Sequence, residues 1–532
     1  MIGTLGTHCD AAIIRTTPCI SPCAPPASPW ILAATILASS MAFIDGTVVN
    51  VALPALQTEL HATILDIQWV VESYALFLAS LLLVGGAAGD HFGRRRVFSL
   101  GVVIFSMASL WCGFARDIQQ LIAARSAQGI GAALLVPGSL AIISTSFDEH
   151  ARGKAIGTWS GATAITAALG PVLGGWLIDH MSWRAAFFMN LPLAAAVLVI
   201  TLWRVPESRN SHIRGRLDWQ GSLAATLGLG SLVYALIESS SKGWTNPIIL
   251  LALVTGALAL TGFFAFEARQ AAPILPLGLF HSRSFRGTNL LTLLIYASLG
   301  GGLFFFPLNL IQTQGYSTTA AGAALLPFIL LMFALSRWAG ALSERYGPRA
   351  PLAIGPTVAA VGFALFAVPA VGGSYWVTFF PAVTVLGLGM AVTVAPLTTT
   401  VMNSVATEFA GVASGINNAV SRIAALLAVA LLGIAMTQIF NHYLDRQLDG
   451  SRLPPIVRQA LEAQRSKLAA IELPESAGAD AKLAARQVIA GAFIAGFRSV
   501  MIICALLALG GAASAWMLIE SHIDRRGAQA KP

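Results

Sequence analysis

Apolar stretches of about 20 residues recur along the whole chain, broken by short polar turns. Each is long enough to cross a hydrocarbon core. The pattern predicts about fourteen membrane helices, at 30–54, 68–88, 97–115, 118–143, 154–177, 185–204, 219–238, 247–267, 287–311, 321–341, 352–370, 375–397, 412–437 and 488–517. Only one polar stretch between helices is long, at 438–487, and a short amphipathic surface helix is expected there. Between the second and third apolar runs the chain reads LLLVGGAAGDHFGRRRVFSLG, residues 81–101. An Asp and three arginines crowd one glycine-flanked turn.

Composition supports a lipid-solvated chain. Of 532 residues 56% are hydrophobic and 11% charged, against about 25% charged in soluble domains. The net charge of +8 sits in short loops between apolar runs, and no basic patch is interleaved with aromatics. This excludes nucleic-acid binding and makes the charges topology signals. Loops after even-numbered helices carry Arg94, Arg95, Arg96, Arg152, Lys154, Arg209, Arg214, Arg216, Arg269, Arg283, Arg286, Arg345 and Arg349; the short loops after odd-numbered helices carry Arg116, Arg184 and Lys242. The stretch 438–487 is basic yet follows an odd-numbered helix, an exception that stands because long loops translocate largely regardless of charge. Basic loops stay inside. The expected location is therefore the cytoplasmic (inner) membrane, multi-pass, with both termini cytoplasmic and 438–487 outside. The Pro-rich start, with Cys19 and Cys23, reads as a disordered tail without the pattern of a cleaved signal peptide.

The chain repeats itself. GAAGDHFGRR from Gly86 and GALSERYGPR from Gly340 share G-x-x-x-acid-x-x-G-x-R, and GKAIG from Gly153 matches GVASG from Gly411. The near-equal offsets indicate a duplicated six-helix bundle with an inserted helix pair. The expected divisions are a tail at 1–29, an N-terminal bundle at 30–204, a linker with the inserted pair at 205–286, a C-terminal bundle at 287–517 and a tail at 518–532. Duplicated bundles suggest a transporter that moves one half against the other around a central substrate.

These residues carry a family resemblance. Gly86, Asp90, Gly93, Arg94 and Arg95 match the loop signature of the major facilitator superfamily. FIDGTVVNVALPAL at 43–56, LIAARSAQGIGAA at 121–133, LGPVLGGWL at 169–177, SWRAAFFMNLP at 182–192 and LDWQG at 217–221 resemble its fourteen-helix drug:proton antiporter branch. The resemblance implies an all-α membrane protein of the major-facilitator fold and multidrug efflux, with antibiotic resistance as its consequence. It makes Gly86, Asp90, Gly93, Arg94 and Arg95 a cytoplasmic gate and Gly170, Pro171, Gly174 and Gly175 an antiporter helix that sets export as the direction. The second loop copy departs from the signature, with Glu344 for Asp and Pro348 inserted.

Charges within membrane helices are costly and mark function. Asp45 lies roughly 13 Å and Arg125 roughly 12 Å from the outer ends of their helices, at 1.5 Å per residue, so a pair between them is geometrically possible. The resemblance places both helices on the central cavity. Glu72 reads as shallower, within reach of water. Proton coupling is therefore expected of Asp45, Glu72 and Arg125, with a static ion pair as the plainer alternative for the first and last. In the second half Asn418 and Arg422 share a helical face by their i,i+4 spacing and are candidates for the substrate cavity. The stretch GGGLFFFPLNLIQ at 300–312 faces either lipid or an apolar substrate path. All nine histidines fall in predicted loops, tails or interfaces, which argues against a histidine relay, a metal site or a membrane enzyme. No ATP-binding G-x-x-x-x-G-K-[ST] occurs.

The expected function is a proton-coupled exporter of amphipathic, often cationic or aromatic, small molecules, working by alternating access. It needs no cofactor, only a proton gradient. Its partners are substrate, protons and the lipid bilayer; a periplasmic adaptor is open, since no residue identifies one. A dedicated exporter of one endogenous metabolite is the alternative, ahead of a membrane sensor or a membrane-embedded enzyme.

Overall fold

The computed structural model describes residues 28–147, 149–208, 219–269, 277–405, 410–449 and 453–521. The tail through residue 27, with Cys19 and Cys23, lies outside them, as do Arg209, Arg214 and Arg216 in the linker and the last eleven residues.

The first half contains α1 (Ser28–Glu59), α2 (Ile64–Phe92), α3 (Arg94–Phe114), α4 (Ile118–Ser146), α5 (Glu149–His180), the single turn α6 (Ala185–Phe188) and α7 (Asn190–Arg204). Next come α8 (Trp219–Lys242) and α9 (Pro247–Glu267). The second half contains α10 (Arg283–Leu308), α11 (Thr318–Ala323), α12 (Leu326–Tyr346), α13 (Arg349–Phe366), the turn α14 (Tyr375–Thr378), α15 (Phe380–Asn403), α16 (Ala410–Asp449), α17 (Pro455–Ala463) and α18 (Ala479–Leu518). Twelve helices among the described residues are long and apolar enough to cross a membrane. Helix α5 and helix α8, which holds the shorter apolar stretch Leu223–Ser239, occupy the positions of the predicted fifth and seventh spans.

Local chemistry sets the helix starts. Thr63 and Asp66 cap α2 reciprocally: the Asp66 amide donates to the Thr63 hydroxyl at 3.2 Å, and the Thr63 amide donates to the Asp66 carboxylate at 2.9 Å. Asp117 accepts from the Gln120 amide at 2.8 Å to start α4, and Asn246 and Ser282 do the same for α9 and α10.

The two halves pack alike. Helix α1 lies on α5 and α7 as α10 lies on α16 and α18, and α2 and α3 both cover α4 as α12 and α13 both cover α15. The loop repeat is preserved in backbone shape. Gly93 between α2 and α3 has φ 109°, and Gly347, 254 residues later, sits between α12 and α13 with φ 76°. Both need the freedom of glycine, and a Cβ on Gly93 would come within 2.8 Å of Glu207 Oε1. Helices α8 and α9 pack on each other, and α8 lies against α2 and α16, one helix of each half. Two faces follow: a terminal face, with the start of α1 and the end of α18, and a distal face opposite.

Three expectations change. The predicted polar stretch 438–487 is shorter, because α16 continues to Asp449 and α18 begins at Ala479; between them α17 supplies the amphipathic helix, with Val457 and Leu461 buried. Phe304, Phe305 and Phe306 do not face lipid but are buried in the second half, where Phe306 packs edge-on against Phe366 and Phe379. The shallow placement of Glu72 is wrong. Helix α2 starts at Ile64, so the carboxyl lies about two turns in and is 1% exposed.

Candidate functional site

A buried polar cluster of the first half is built on five helices, α1, α2, α3, α4 and α7. Arg125 on α4 donates through Nη1 to Asp45 Oδ2 on α1 at 2.5 Å and to Gln128 Oε1 at 2.6 Å. Its Nε donates to the Val70 carbonyl at 3.1 Å, and its guanidinium lies 4.2 Å over the Tyr74 ring. Asp45 Oδ1 accepts from Gln128 Nε2 at 2.8 Å and from Asn190 Nδ2 at 3.1 Å. Ser109 on α3 accepts from the same two amides. Asp45 and Arg125 are each 1% exposed. A buried ion pair survives only when hydrogen bonds satisfy its remaining lone pairs and protons, and Gln128, Asn190 and Ser109 do this. Sequence reasoning singled out none of these three, although Gln128 and Asn190 lie within the quoted stretches 121–133 and 182–192, because uncharged polar residues resemble ordinary helix filler.

Glu72 stands apart. It lies on α2, equally buried, and its Oε2 has no hydrogen-bond partner among the described residues. Sequence reasoning grouped it with Asp45 and Arg125; the structure leaves it outside their network.

The candidate gate residues gather on the terminal face. Asp90 pairs with Arg94, with Nε at 2.8 Å and Nη2 at 2.6 Å from Oδ1. The Arg94 amide donates to the Ser208 carbonyl at 2.9 Å, Arg95 Nη1 to the Val205 carbonyl at 3.2 Å, and the Arg95 amide to Glu207 at 3.0 Å. The described partners of this turn lie on the turn itself and on residues 205–208 just after α7, so Glu207, unnoticed in the sequence, ties it to the end of that helix. Gly86 sits on α2 with its nearest foreign atom, Pro137 Cβ, 3.7 Å from where a Cβ would stand.

The antiporter-helix glycines divide between two neighbours. Gly170 and Gly174 face α1: a Cβ on the first would overlap Thr47 Oγ1, and one on the second would meet Val48 at 2.5 Å. Pro171 and Gly175 face the other half. The Pro171 carbonyl packs against Gly322 on α11, and a Cβ on Gly175 would lie 2.6 Å from the Thr318 carbonyl oxygen. One helix thus uses two i,i+4 small-residue rows, one to hold its own half together and one to seal against the partner half.

At the end of this seam Asp179 caps α11 from across the interface. Its carboxylate accepts from the Thr318 amide at 3.1 Å, the Thr319 amide at 2.7 Å and the Thr319 hydroxyl at 2.6 Å. Asp179 lies beyond the predicted end of the fifth span. Partial desolvation pushes its carboxyl up, but the Thr319 and Thr318 hydrogen bonds outweigh it and hold the carboxyl below the usual carboxylate range. A depressed carboxylate contributes above its ordinary value, about 3.9, and that contribution is lost as pH falls through the lowered value. Asp179→Ala should therefore loosen the distal face at neutral pH. Nitroxides at Met181 and Ser374 should report a longer separation, whereas the wild-type separation should lengthen only in acid. Equal distances in both proteins at neutral pH would remove the latch role.

Further contacts close the distal face. Gln57 on α1 donates to the Lys467 carbonyl at 2.9 Å and accepts from Gln312 Nε2 at 2.8 Å, and Gln68 on α2 donates to the Val429 carbonyl at 3.1 Å. The segment after α17 therefore bridges both halves over the mouth.

In the second half, Asn418 is exposed, whereas its neighbour Asn417 donates to Thr292 at 2.6 Å and to Asn289 at 3.3 Å. Arg498 donates to the Val368 and Pro369 carbonyls and packs structurally. Among the described residues no group of three or more potential metal ligands occurs.

The arrangement joins two similar helical halves, a buried ion pair and a small-residue seam between the halves. The chain is 34% identical over 431 residues to the multidrug resistance protein Stp of Mycobacterium tuberculosis, covering 81% of this chain and 80% of that protein. It is 29% identical over 512 residues to the tetracenomycin C resistance and export protein of Streptomyces glaucescens, covering 95% and 94%. It is 36% identical over 419 residues to the puromycin resistance protein pur8 of Streptomyces alboniger, covering 78% and 83%. In fold it is similar to a bacterial homolog of the human lysosomal transporter Spinster in an inward-facing, unoccupied conformation, with TM-score 0.65 and 17% identity over 94% of this chain and 98% of that one. The sequence matches the Major Facilitator Superfamily over residues 35–429, and the chain belongs to that family of membrane transporters.

Proposed function

We propose that the protein is a proton-coupled exporter of amphipathic small molecules. The observation that carries this reading is the Asp45–Arg125 pair, buried between helices of the first half, together with relatives named for resistance to and export of antibiotics. An ion pair is a proton switch when its geometry can change. With Arg125 close, Asp45 is satisfied as a carboxylate; with Arg125 withdrawn, its charge is uncompensated and a proton relieves it. Glu72 is a second candidate carrier, since a lone carboxyl in an apolar wall gains most from carrying a proton. Arg125 is the residue that moves between states, and Gln128 and Asn190 steer the carboxylate.

In this cycle the terminal face is cytoplasmic, in keeping with its arginines, and the protein resides in the cytoplasmic membrane. The structure is closed at the distal face by the α5–α11 seam. Substrate binds between the halves, the seam parts, and a proton taken up from outside returns the transporter. Gly86, Asp90, Gly93, Arg94 and Arg95 form the gate that shuts the terminal face when the distal one opens. The inserted pair α8 and α9 flanks α2 and α16 without entering the path. No cofactor takes part, and the proton gradient supplies the energy.

Inverted membrane vesicles test this. A fluorescent amphipathic dye should be accumulated while a proton gradient stands and released when a protonophore collapses it. Accumulation indifferent to the protonophore would reject proton coupling.

A further inference from the structure

Among the described residues of the second half, Arg422 is a cation within the membrane that no described residue neutralises. Arg422 lies on α16 where that helix meets both halves: one turn before it Asn417 bonds Thr292 on α10, just after it Ala425 packs against Gly300 of α10, and two turns after it the Val429 carbonyl accepts from Gln68 on α2, so Tyr296 and Tyr74 stand at its level on the two facing helices. Arg422 and Tyr296 both retain accessible surface. Arg422 lies ten residues into the candidate span Val412–Leu448, roughly 15 Å along the helix, so its charge is within the membrane and not at its edge.

The charges around it do not balance. Asp45 and Arg125 cancel each other. Glu72 is on the helix facing α16 and yet neither hydrogen-bonds nor pairs with Arg422 in this state. Arg422 itself makes no hydrogen bond or ion pair among the described residues, unlike Arg498, which binds two carbonyls. An arginine stays charged at any physiological pH. An unpaired charge inside a membrane protein is expensive and marks a site whose partner comes and goes.

Tyr74 connects this cation to the proton site. Its ring lies under the Arg125 guanidinium, its hydroxyl donates to the Ala42 carbonyl at 3.3 Å, and its helix packs against α16. One rigid side chain therefore stands between the proton-carrying pair and the free guanidinium.

We propose that Arg422, flanked by Tyr296 and Tyr74, is the recognition site for an anionic group on the exported substrate, a carboxylate or an ionised phenol on an aromatic body. This rests on the export reading and deepens it, and it reverses the cationic preference expected from sequence. The guanidinium offers a planar donor fork to two acceptor oxygens, and the two tyrosine rings offer faces to the aromatic body. A cationic substrate would instead meet like charge with no nearby free carboxylate but Glu72.

Binding to the purified, detergent-solubilised protein tests the site separately from transport. Fluorescein, an anion at neutral pH, and rhodamine 123, a cation on the same xanthene frame, serve as probes by equilibrium dialysis. Fluorescein should bind about tenfold more tightly, the ratio that one charge-assisted contact supports. Arg422→Gln should abolish the preference and Arg422→Lys should keep part of it. Equal or reversed preference in the wild type, absence of fluorescein binding, or an Arg422→Gln protein with unchanged preference would overturn the proposal. Protonophore-sensitive dye accumulation in vesicles reports on export itself. If it persists while the binding preference fails, the anion site alone is lost.

Discussion

Asp45→Asn is expected to abolish gradient-driven export and to lower stability, and Asp45→Asn combined with Arg125→Gln is expected to recover stability but not export. The single substitution keeps an acceptor for Gln128 and Asn190 but leaves Arg125 buried without its counter-charge. Breaking a buried pair from one side costs about 3–5 kcal/mol, whereas removing both charges is often close to neutral. Stability alone would therefore follow the charge balance, while export would follow the titratable group. The measurement is a cycle of four proteins, each followed by thermal unfolding in detergent and by dye accumulation in vesicles at matched expression. If the double variant regained export along with stability, the pair would be a structural strut and proton coupling would belong elsewhere.

Gly322→Ala should be the most damaging single methyl at the interface between the halves. Its Cβ would overlap the Pro171 carbonyl, and backbone cannot swing aside as a flexible side chain can. Overpacking of this kind costs about 1–3 kcal/mol. That cost falls on the distally closed state alone, because only there do α5 and α11 touch. A bias of 1.4 kcal/mol shifts a population about tenfold, so export should drop by about that factor or more while the fold survives. Gly340→Ala, on the neighbouring α12 with nothing within 4 Å of the added methyl, is the control and should export normally. Nitroxides at Met181 and Ser374 should move apart in Gly322→Ala and stay in place in Gly340→Ala. An unchanged distance in Gly322→Ala would mean the seam does not govern the distal face.

Much of this was legible in the sequence, for identifiable reasons. Apolar runs announce membrane helices because lipid leaves no other way to satisfy a backbone. The repeat around Gly93 and Gly347 was readable because a left-handed turn constrains residue type. Asp45 and Arg125 stood out because charge is rare in such a chain, and their similar depth suggested the pair that the structure forms. The depth of Glu72 was misjudged because the predicted span began only at Gln68, whereas Thr63 and Asp66 form a capping box that starts the helix at Ile64. Gln57, Gln128 and Asn190 were invisible because an amide carries no spacing rule; only the fold says whether it meets a carboxylate, a backbone carbonyl or lipid. Asp179 was missed because its partners lie about 140 residues on, in the other half.

Helices α16 and α18 are each 40 residues long. At 1.5 Å per residue each reaches about 60 Å, roughly twice the thickness of a hydrocarbon core. The surplus, joined through α17, is a rigid mast on a molecule otherwise sunk in detergent or lipid. Such a mast gives an antibody fragment a firm epitope and gives single-particle images a feature that fixes orientation. Because the mast also holds Gln57 across the mouth, a fragment bound at its base would select the closed conformation, so one reagent would serve both as a fiducial and as a conformational clamp.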